Sequence, residues 1–276
     1  MTRQLSSSMY RELLIEIGCE ELPASWLPPL IQEIGERVGA GLAAARLDVR
    51  TLPESFGTPR RLAVRVAKLA DRQADLEETL TGPPVKAAFD AGGHPTAAAR
   101  GFARKNGVEV NQLSSVETSK GEYLVYQRRQ RGVATRSVLS GVLAVTLRGL
   151  TFPKQMHWDA RLDDGRGDLL FGRPIRWLLF LYGGRVVPFV IGRSPGAVAR
   201  GVAAVRAGSG TYGHRFFTRE GSVGRRFRVG SFAEYRRGLK RHYVLLSRTE
   251  RRTRIEQKLE ACAKRVGGFV GVTGGE

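Results

Sequence analysis

Residues 12–17 read Glu-Leu-Leu-Ile-Glu-Ile, and the run from Ser25 onward carries Trp26, Leu30, Ile34, Val38 and Leu42. The first stretch alternates charged and apolar groups and then runs apolar, which predicts an early β-strand. The second repeats an apolar residue every four positions, one stripe of an amphipathic helix. Pro28 and Pro29 suit that helix only in its first turn, where amides lack helical partners.

Outward from this pair, Thr51 to Phe56 and Leu62 to Leu69 read as strands around Gly57-Thr58-Pro59. Gly82-Pro83-Pro84 reads as a break. Thr96 to Asn106 reads as a helix capped by Gly107, Glu122 to Arg129 as a strand, and Ser137 to Leu150 as a helix. Pro174 to Tyr182 and Arg185 to Ile191 flank Gly183-Gly184, a hairpin signal because paired glycines supply positive φ. Gly192 to Gly213 reads as a long loop. Ser231-Phe-Ala-Glu234 and Ser247-Arg-Thr-Glu250 match capping boxes and open helices near 231–239 and 248–266, around a short strand from Tyr243 to Leu246. Strands and helices mix without strict βαβ alternation, so the expected class is α+β. The expected division is a disordered extension 1–8, an α+β body 9–192, a Gly/Arg-rich loop region 193–230, and a basic helical segment 231–276.

The chain has 276 residues, with 45 Lys and Arg against 26 Asp and Glu, a net charge of +19. Residues 1–138 hold 19 basic and 16 acidic side chains; residues 139–276 hold 26 and 10. Most of the excess is arginine, whose planar fork suits phosphate, so a polyanionic partner is expected, nucleic acid before others. The competing reading is an Arg-rich, merely solvated face. The longest uncharged apolar run, Trp177 to Tyr182, is far shorter than the ~20 residues of a membrane helix, so no membrane partner is expected. Two cysteines, Cys19 and Cys262, rule out a disulfide scaffold and a cysteine-built zinc site, and point to a reducing, cytoplasmic setting.

Gly208-Ser-Gly210-Thr-Tyr-Gly213 has dinucleotide spacing, but no helix start follows it, so it reads as a flexible loop. The four histidines are scattered, and neither a nucleophile elbow nor a Walker loop is present. Glu20-Glu21 precedes a helix, and the preferred reading is support of its dipole. Three basic or aromatic clusters remain: Arg60-Arg61, Phe152 to Trp158 around Lys154, and Tyr212 to Phe217 around His214 and Arg215. Rings beside cations stack bases while the cations track phosphate. Alternatively Phe152, Trp158, Phe216 and Phe217 are core.

The blocks Leu14-Ile-Glu-Ile-Gly-Cys-Glu-Glu-Leu-Pro23, Thr58-Pro-Arg-Arg-Leu62, Gly82-Pro-Pro with Ala88-Phe-Asp90, Lys120-Gly-Glu-Tyr-Leu124, Phe152-Pro-Lys154 with Met156 and Trp158, Arg173-Pro-Ile-Arg-Trp177 and Gly213-His-Arg-Phe216 occur in order. Together they resemble the β-subunit family of the bacterial heterotetrameric glycyl-tRNA synthetases. The resemblance implies body- and tail-like modules and a tRNA-binding and assembly role in a glycine–tRNA ligase. It implies an α-subunit partner in an α2β2 assembly and tRNA-Gly as the bound RNA. It also implies chemistry on α, with ATP and Mg there, and neither catalytic residues nor cofactor nor metal on this chain. Alternatives are a stand-alone RNA-binding module or a docking domain for α.

Family members continue through further domains, so this chain resembles an N-terminal portion. Met9, directly before Tyr10, offers an alternative start. His157 stands where the family usually has arginine. The expected RNA-binding surface comprises Arg60, Arg61, Lys154, Arg176, His214, Arg215, Arg251 and Arg252; Arg173 and Arg176 alternatively bridge to acids such as Asp168. Protease is expected to cut first between Arg236 and Arg254.

Overall fold

The computed structural model describes residues 10–199, 201–218 and 224–271; the expected extension 1–8 and the candidate start at Met9 lie outside them. The elements in chain order are β1 (Tyr10–Cys19), α1 (Leu27–Ala44), β2 (Glu54–Thr58), β3 (Arg61–Ala70), β4 (Leu76–Pro84), α2 (Val85–Ala88), α3 (Ala97–Asn106), β5 (Ser114–Thr118), β6 (Gly121–Gln130) and α4 (Thr135–Gly149). They continue with β7 (Met156–Arg161), β8 (Asp168–Phe171), β9 (Ile175–Tyr182), β10 (Arg185–Val186), β11 (Val190–Arg193), α5 (Pro195–Ala199), β12 (Val205–Gly208), β13 (Gly210–Tyr212), β14 (Arg226–Arg228), α6 (Phe232–Arg241) and α7 (Arg248–Arg265). The class is α+β, as expected. Residues 73–133 form one compact unit, and the described residues on either side of them form the other.

In the larger unit the sheet runs β2-β3-β1-β9-β12-β11-β7-β8, with β10 paired to β9. β1 lies inside the sheet and is antiparallel to both neighbours, so both of its edges are paired, and its two faces are covered by separate cores. Leu13, Ile15 and Ile17 face one core, shared with the stripe Leu30, Ile34, Val38 and Leu42 of α1 and with Leu139, Leu143 and Leu147 of α4. Pro28 and Pro29 do fall in the first turn of α1. On the opposite face Leu14 joins Leu179 and Leu181 beneath Phe232, Tyr235 and Leu239 of α6. Full burial of each such side chain contributes about 1.5–3 kcal/mol, so α6 is an integral layer. The Phe232 N–H donates to Glu12 Oε1 at 2.7 Å and fastens the start of α6 to β1. By contrast, α7 has no buried residue.

Gly183 and Gly184 turn the β9–β10 hairpin with φ of 56° and 74°, which the sequence anticipated. The stretch read as a loop from Gly192 to Gly213 instead contains α5, β12 and β13, and β12 runs parallel to β9. Those strands are only three or four residues long; their pairing is with distant partners, so no local pattern marks them. The expected strand from Tyr243 to Leu246 is irregular chain, and Tyr243 has φ of 64°, outside the strand region. Both serine caps form: Ser231 accepts from the Glu234 N–H and Ser247 from the Glu250 N–H. Glu250, however, pairs with Lys240 at 3.1 Å and Arg236 at 3.5 Å instead of reaching back.

The smaller unit is the antiparallel sheet β4-β6-β5 with α2 and α3. Its core is modest: Ala88, Ala99 and Leu124, ringed by Val85, Phe89, Phe102, Val110 and Leu113. Gly82-Pro83-Pro84 does not end β4 early; it lies within the strand, at a shift in register against β6. Thr96 caps α3 and Gly107 closes it at φ 68°.

Candidate nucleic-acid interface

The alternation of β1 that points Leu14 toward α6 points Glu16 the same way. Glu16 is 0% exposed and Arg61, from the neighbouring strand, is 2% exposed. Arg61 Nη1 stands 3.3 Å from Glu16 Oε1, and its Nη2 donates to the Tyr212 carbonyl at 2.7 Å. Thr211, Trp177 and Tyr235 turn their polar atoms toward the same carboxylate. Burial pushes the Glu16 carboxyl above its ordinary range, against the pull of Arg61; it also pushes the Tyr235 hydroxyl well up. Gly18 makes room for this arrangement: a Cβ there would sit 1.9 Å from the Trp177 ring. The Arg60 and Arg61 guanidiniums lie 5.8 and 5.7 Å from that ring's centroid.

Above this buried layer, Glu20 and Glu21 organise the surface. Arg60 reaches Glu20 at 3.2 Å and Glu21 at 3.5 Å, Arg176 reaches Glu20 at 3.2 Å, and Arg215 reaches Glu21 at 2.7 Å. The dipole reading of these acids gives way to this: neither lies in the first turn of α1, and both are held by arginines. Burial works against the Glu21 carboxylate, but the Arg215 hydrogen bond and the Arg60 charge hold it below its usual range. Arg173 donates to the Glu21 carbonyl at 3.1 Å, so neither it nor Arg176 bridges to Asp168, whose neighbours are Arg161 and His157.

Three of the sequence blocks meet in one open cleft of about 320 Å³: Glu21, Thr58 to Arg61, and Gly213 to Phe216, with Tyr243 and Arg251 completing the wall. Its rim is aromatic. Phe216 is 71% exposed, Phe217 65% and Tyr243 64%. The His214 ring stacks on Phe217 at 4.4 Å, Phe217 meets Tyr243 edge-on at 5.7 Å, and Arg215 lies 5.2 Å from the Phe216 centroid. His214 Nδ1 accepts from the Phe216 and Phe217 N–H groups at 3.2 and 3.3 Å. That role requires an unprotonated Nδ1, and burial together with the charges of Arg61 and Arg60 lowers the His214 pKa accordingly.

The structure therefore brings together Arg60, Arg61, His214, Arg215 and Arg251, with distinct duties. Arg61 is buried. Arg251 donates to the Leu245, Leu246 and Gly57 carbonyls and anchors the start of α7. Arg215 and the aromatic rim remain at the surface. Arg176 lines a separate cleft, Arg252 pairs with Glu256 at 2.7 Å in another groove, and exposed Lys154 lines neither. The core reading holds for one aromatic cluster and not for the other. Phe152 and Trp158 pack into the core, whereas Phe216 and Phe217 do not. Glu16 and Tyr243 were missed: one reads as a solvent-facing position of an alternating strand, the other as part of an apolar run. The pairing of Glu16 was signalled only by Arg61 on an adjacent strand. Among the described residues, no group of three or more His, Cys, Asp or Glu side chains is placed to hold a metal ion, and no helix is long and apolar enough to cross a membrane.

The comparisons with known proteins match the chain to a subunit of an aminoacyl-tRNA synthetase. The chain belongs to the glycyl-tRNA synthetase beta subunit family, whose pattern matches residues 13–274. It is 37% identical over 262 residues to the glycine–tRNA ligase beta subunit of Syntrophus aciditrophicus and 38% identical to that of Trichlorobacter lovleyi, in each case across 95% of this chain and 35% of the relative. With the Oleidesulfovibrio alaskensis subunit it is 43% identical over 202 residues, covering 73% of this chain and 26% of the relative. The chain thus spans about a third of the length of the first two relatives.

Proposed function

We propose that this chain is a non-catalytic, tRNA-holding part of a glycine–tRNA ligase β subunit, working in the cytoplasm with an α partner in an α2β2 assembly. Glycine activation, with its ATP and Mg, belongs to α in this reading. The observation that carries it is the cleft where Glu21, the Thr58–Arg61 turn and the Gly213–Phe216 turn meet beneath three exposed rings. A rim of rings over a cationic floor accepts unstacked bases and their phosphates, at about 1–3 kcal/mol per stacked base. Arg215 supplies a cation at the surface, buried Arg60 adds positive charge to the cleft wall, and His214 fixes the turn that presents the rings.

A second reading, docking to α, draws on α7, where Ile255 and Leu259 lie half exposed in an apolar stripe without a buried residue. Titrating the chain against tRNA-Gly, an unrelated tRNA and purified α, at two salt concentrations, tests both. Salt-sensitive tRNA binding supports the RNA-holding role, because each phosphate contact lowers log K by about 0.9 per unit log salt on duplex nucleic acid. Tight, salt-insensitive association with α and no tRNA binding would move the role to docking.

A further inference from the structure

A separate cleft of about 520 Å³ is lined by Arg176 and Trp177 of β9, Arg193 of β11, Arg206 of β12, Tyr212 of β13 and Arg226 of β14. None of its described lining residues is acidic. Arg193 is fixed in orientation by three backbone carbonyls: its Nε donates to Ala203 at 3.0 Å, Nη1 to Trp158 at 3.1 Å and Nη2 to Ile175 at 3.4 Å. Burial and then the charge of Arg176 disfavour its protonated form, and Asp159 offsets this in part. Arg206 and Arg226 are exposed, and no carboxylate among the described residues pairs with either. Arg176 is bound at its edge to Glu20. The Arg226 guanidinium lies against Gly210, where a Cβ would stand 2.7 Å from Nε and 2.8 Å from Nη2.

Four guanidiniums facing one concave surface raise its potential, and the excess is relieved by an anion able to accept several N–H donors at once. A carboxylate offers two oxygens, whereas consecutive phosphates offer a run of them at a spacing that one cleft can follow. We propose that this cleft is a binding site for consecutive phosphate groups, held by Arg193, Arg206 and Arg226 with Arg176 at its rim. The same chemistry occurs in an RNA backbone and in free polyphosphate. Only assignment to RNA rests on the function proposed above.

The test titrates tripolyphosphate and a tRNA-Gly transcript into the chain and into R206A/R226A, G210A and R237A/R241A. The last variant removes the same charge from two exposed positions of α6. The site is supported if R206A/R226A weakens either ligand at least tenfold, R237A/R241A changes it less than twofold, and thermal melting is unchanged. G210A, which keeps the charge but displaces the Arg226 guanidinium, is expected to weaken the same ligand several-fold. If tRNA is the responding ligand, its salt slope falls by about 2 units in R206A/R226A, near 0.9 for each lost contact. If tripolyphosphate alone responds, the phosphate site stands while the tRNA reading fails separately. The proposal is overturned if neither ligand binds, if both bind R206A/R226A as they bind the wild type, or if R237A/R241A loses as much.

Discussion

Arg61 Nη1 stands 3.3 Å from Glu16 Oε1 inside the layer between the sheet and α6. The second arginine of the Thr58–Arg61 turn is therefore a structural residue, and its neighbour Arg60 is also buried, paired with Glu20 and Glu21. The two partners of the buried pair are not equivalent. A carboxylic acid left alone can take up a proton, whereas a guanidinium cannot lose one. Glu16→Leu, which strands Arg61, is expected to cost about 3–5 kcal/mol in urea denaturation. Arg61→Met is expected to cost less near pH 5, and E16L/R61M less than the sum of the single changes.

The pH dependence of R61M follows from the same pair. The folded-state value for Glu16 is raised above its ordinary 4.5, so folding favours the protonated acid. Its contribution to stability is complete below about 4.5 and is lost as pH rises through the folded value. Removing Arg61 removes the pull that opposes burial. Stability of R61M is expected to fall more steeply than wild type between pH 5 and 8; parallel curves would show that Arg61 does not govern the acid.

At the surface, Glu21 restrains the cations that face the cleft. Glu21→Gln releases Arg215 and one arm of Arg60. An exposed pair of this kind is worth about 0.2–1 kcal/mol, so tRNA is expected to bind the variant two- to fivefold more tightly at low salt. Unchanged or weaker binding would place these arginines outside the RNA path.

The rim depends on the His214 tautomer. A lowered histidine pKa means that the folded state prefers the neutral ring, so the contribution to stability is present above about 6.5 and is lost as pH falls through the folded value. Below that value the Phe216 and Phe217 N–H groups lose their acceptor. Hydrogen exchange at these two amides is expected to show less protection at pH 5 than at pH 7.5, after correction for intrinsic rates, and His214→Ala is expected to lack this pH dependence.

Limited trypsin digestion separates the two terminal helices. With Phe232, Tyr235 and Leu239 buried, Arg236 and Arg237 are expected to resist cutting, while Arg252, Arg254 and Lys258 of α7 are cut first. The sequence reading spread early cleavage from Arg236 to Arg254, because the burial of α6 depends on Leu14 and Leu179, far away in the chain.

That difference reflects what was legible. The β1–α1 pair, the Gly107 cap, the Gly183-Gly184 turn and both serine caps are set by residues a few positions apart, and each was readable. The strands inside 192–213, the irregular Tyr243–Leu246 segment and the separate unit 73–133 depend on distant partners, and composition does not mark them. The aromatic clusters make the same point at the site. Phe152 and Phe216 both lie within two residues of a cation, yet Phe152 packs on Phe171 at 4.5 Å while Phe216 faces solvent. The basic residues at 60, 61, 215 and 251 were identifiable one by one, but their division into buried pair, surface cation and helix anchor was not.

The measurement closest to the central claim is ultraviolet crosslinking of the chain to tRNA-Gly, with the attached peptides mapped by mass spectrometry. Crosslinks at Phe216, Phe217 or Tyr243 that disappear at high salt are expected. Crosslinks confined to residues 73–133, with the peptides around 213–217 and 243 recovered unmodified, would contradict the assignment of this cleft to RNA.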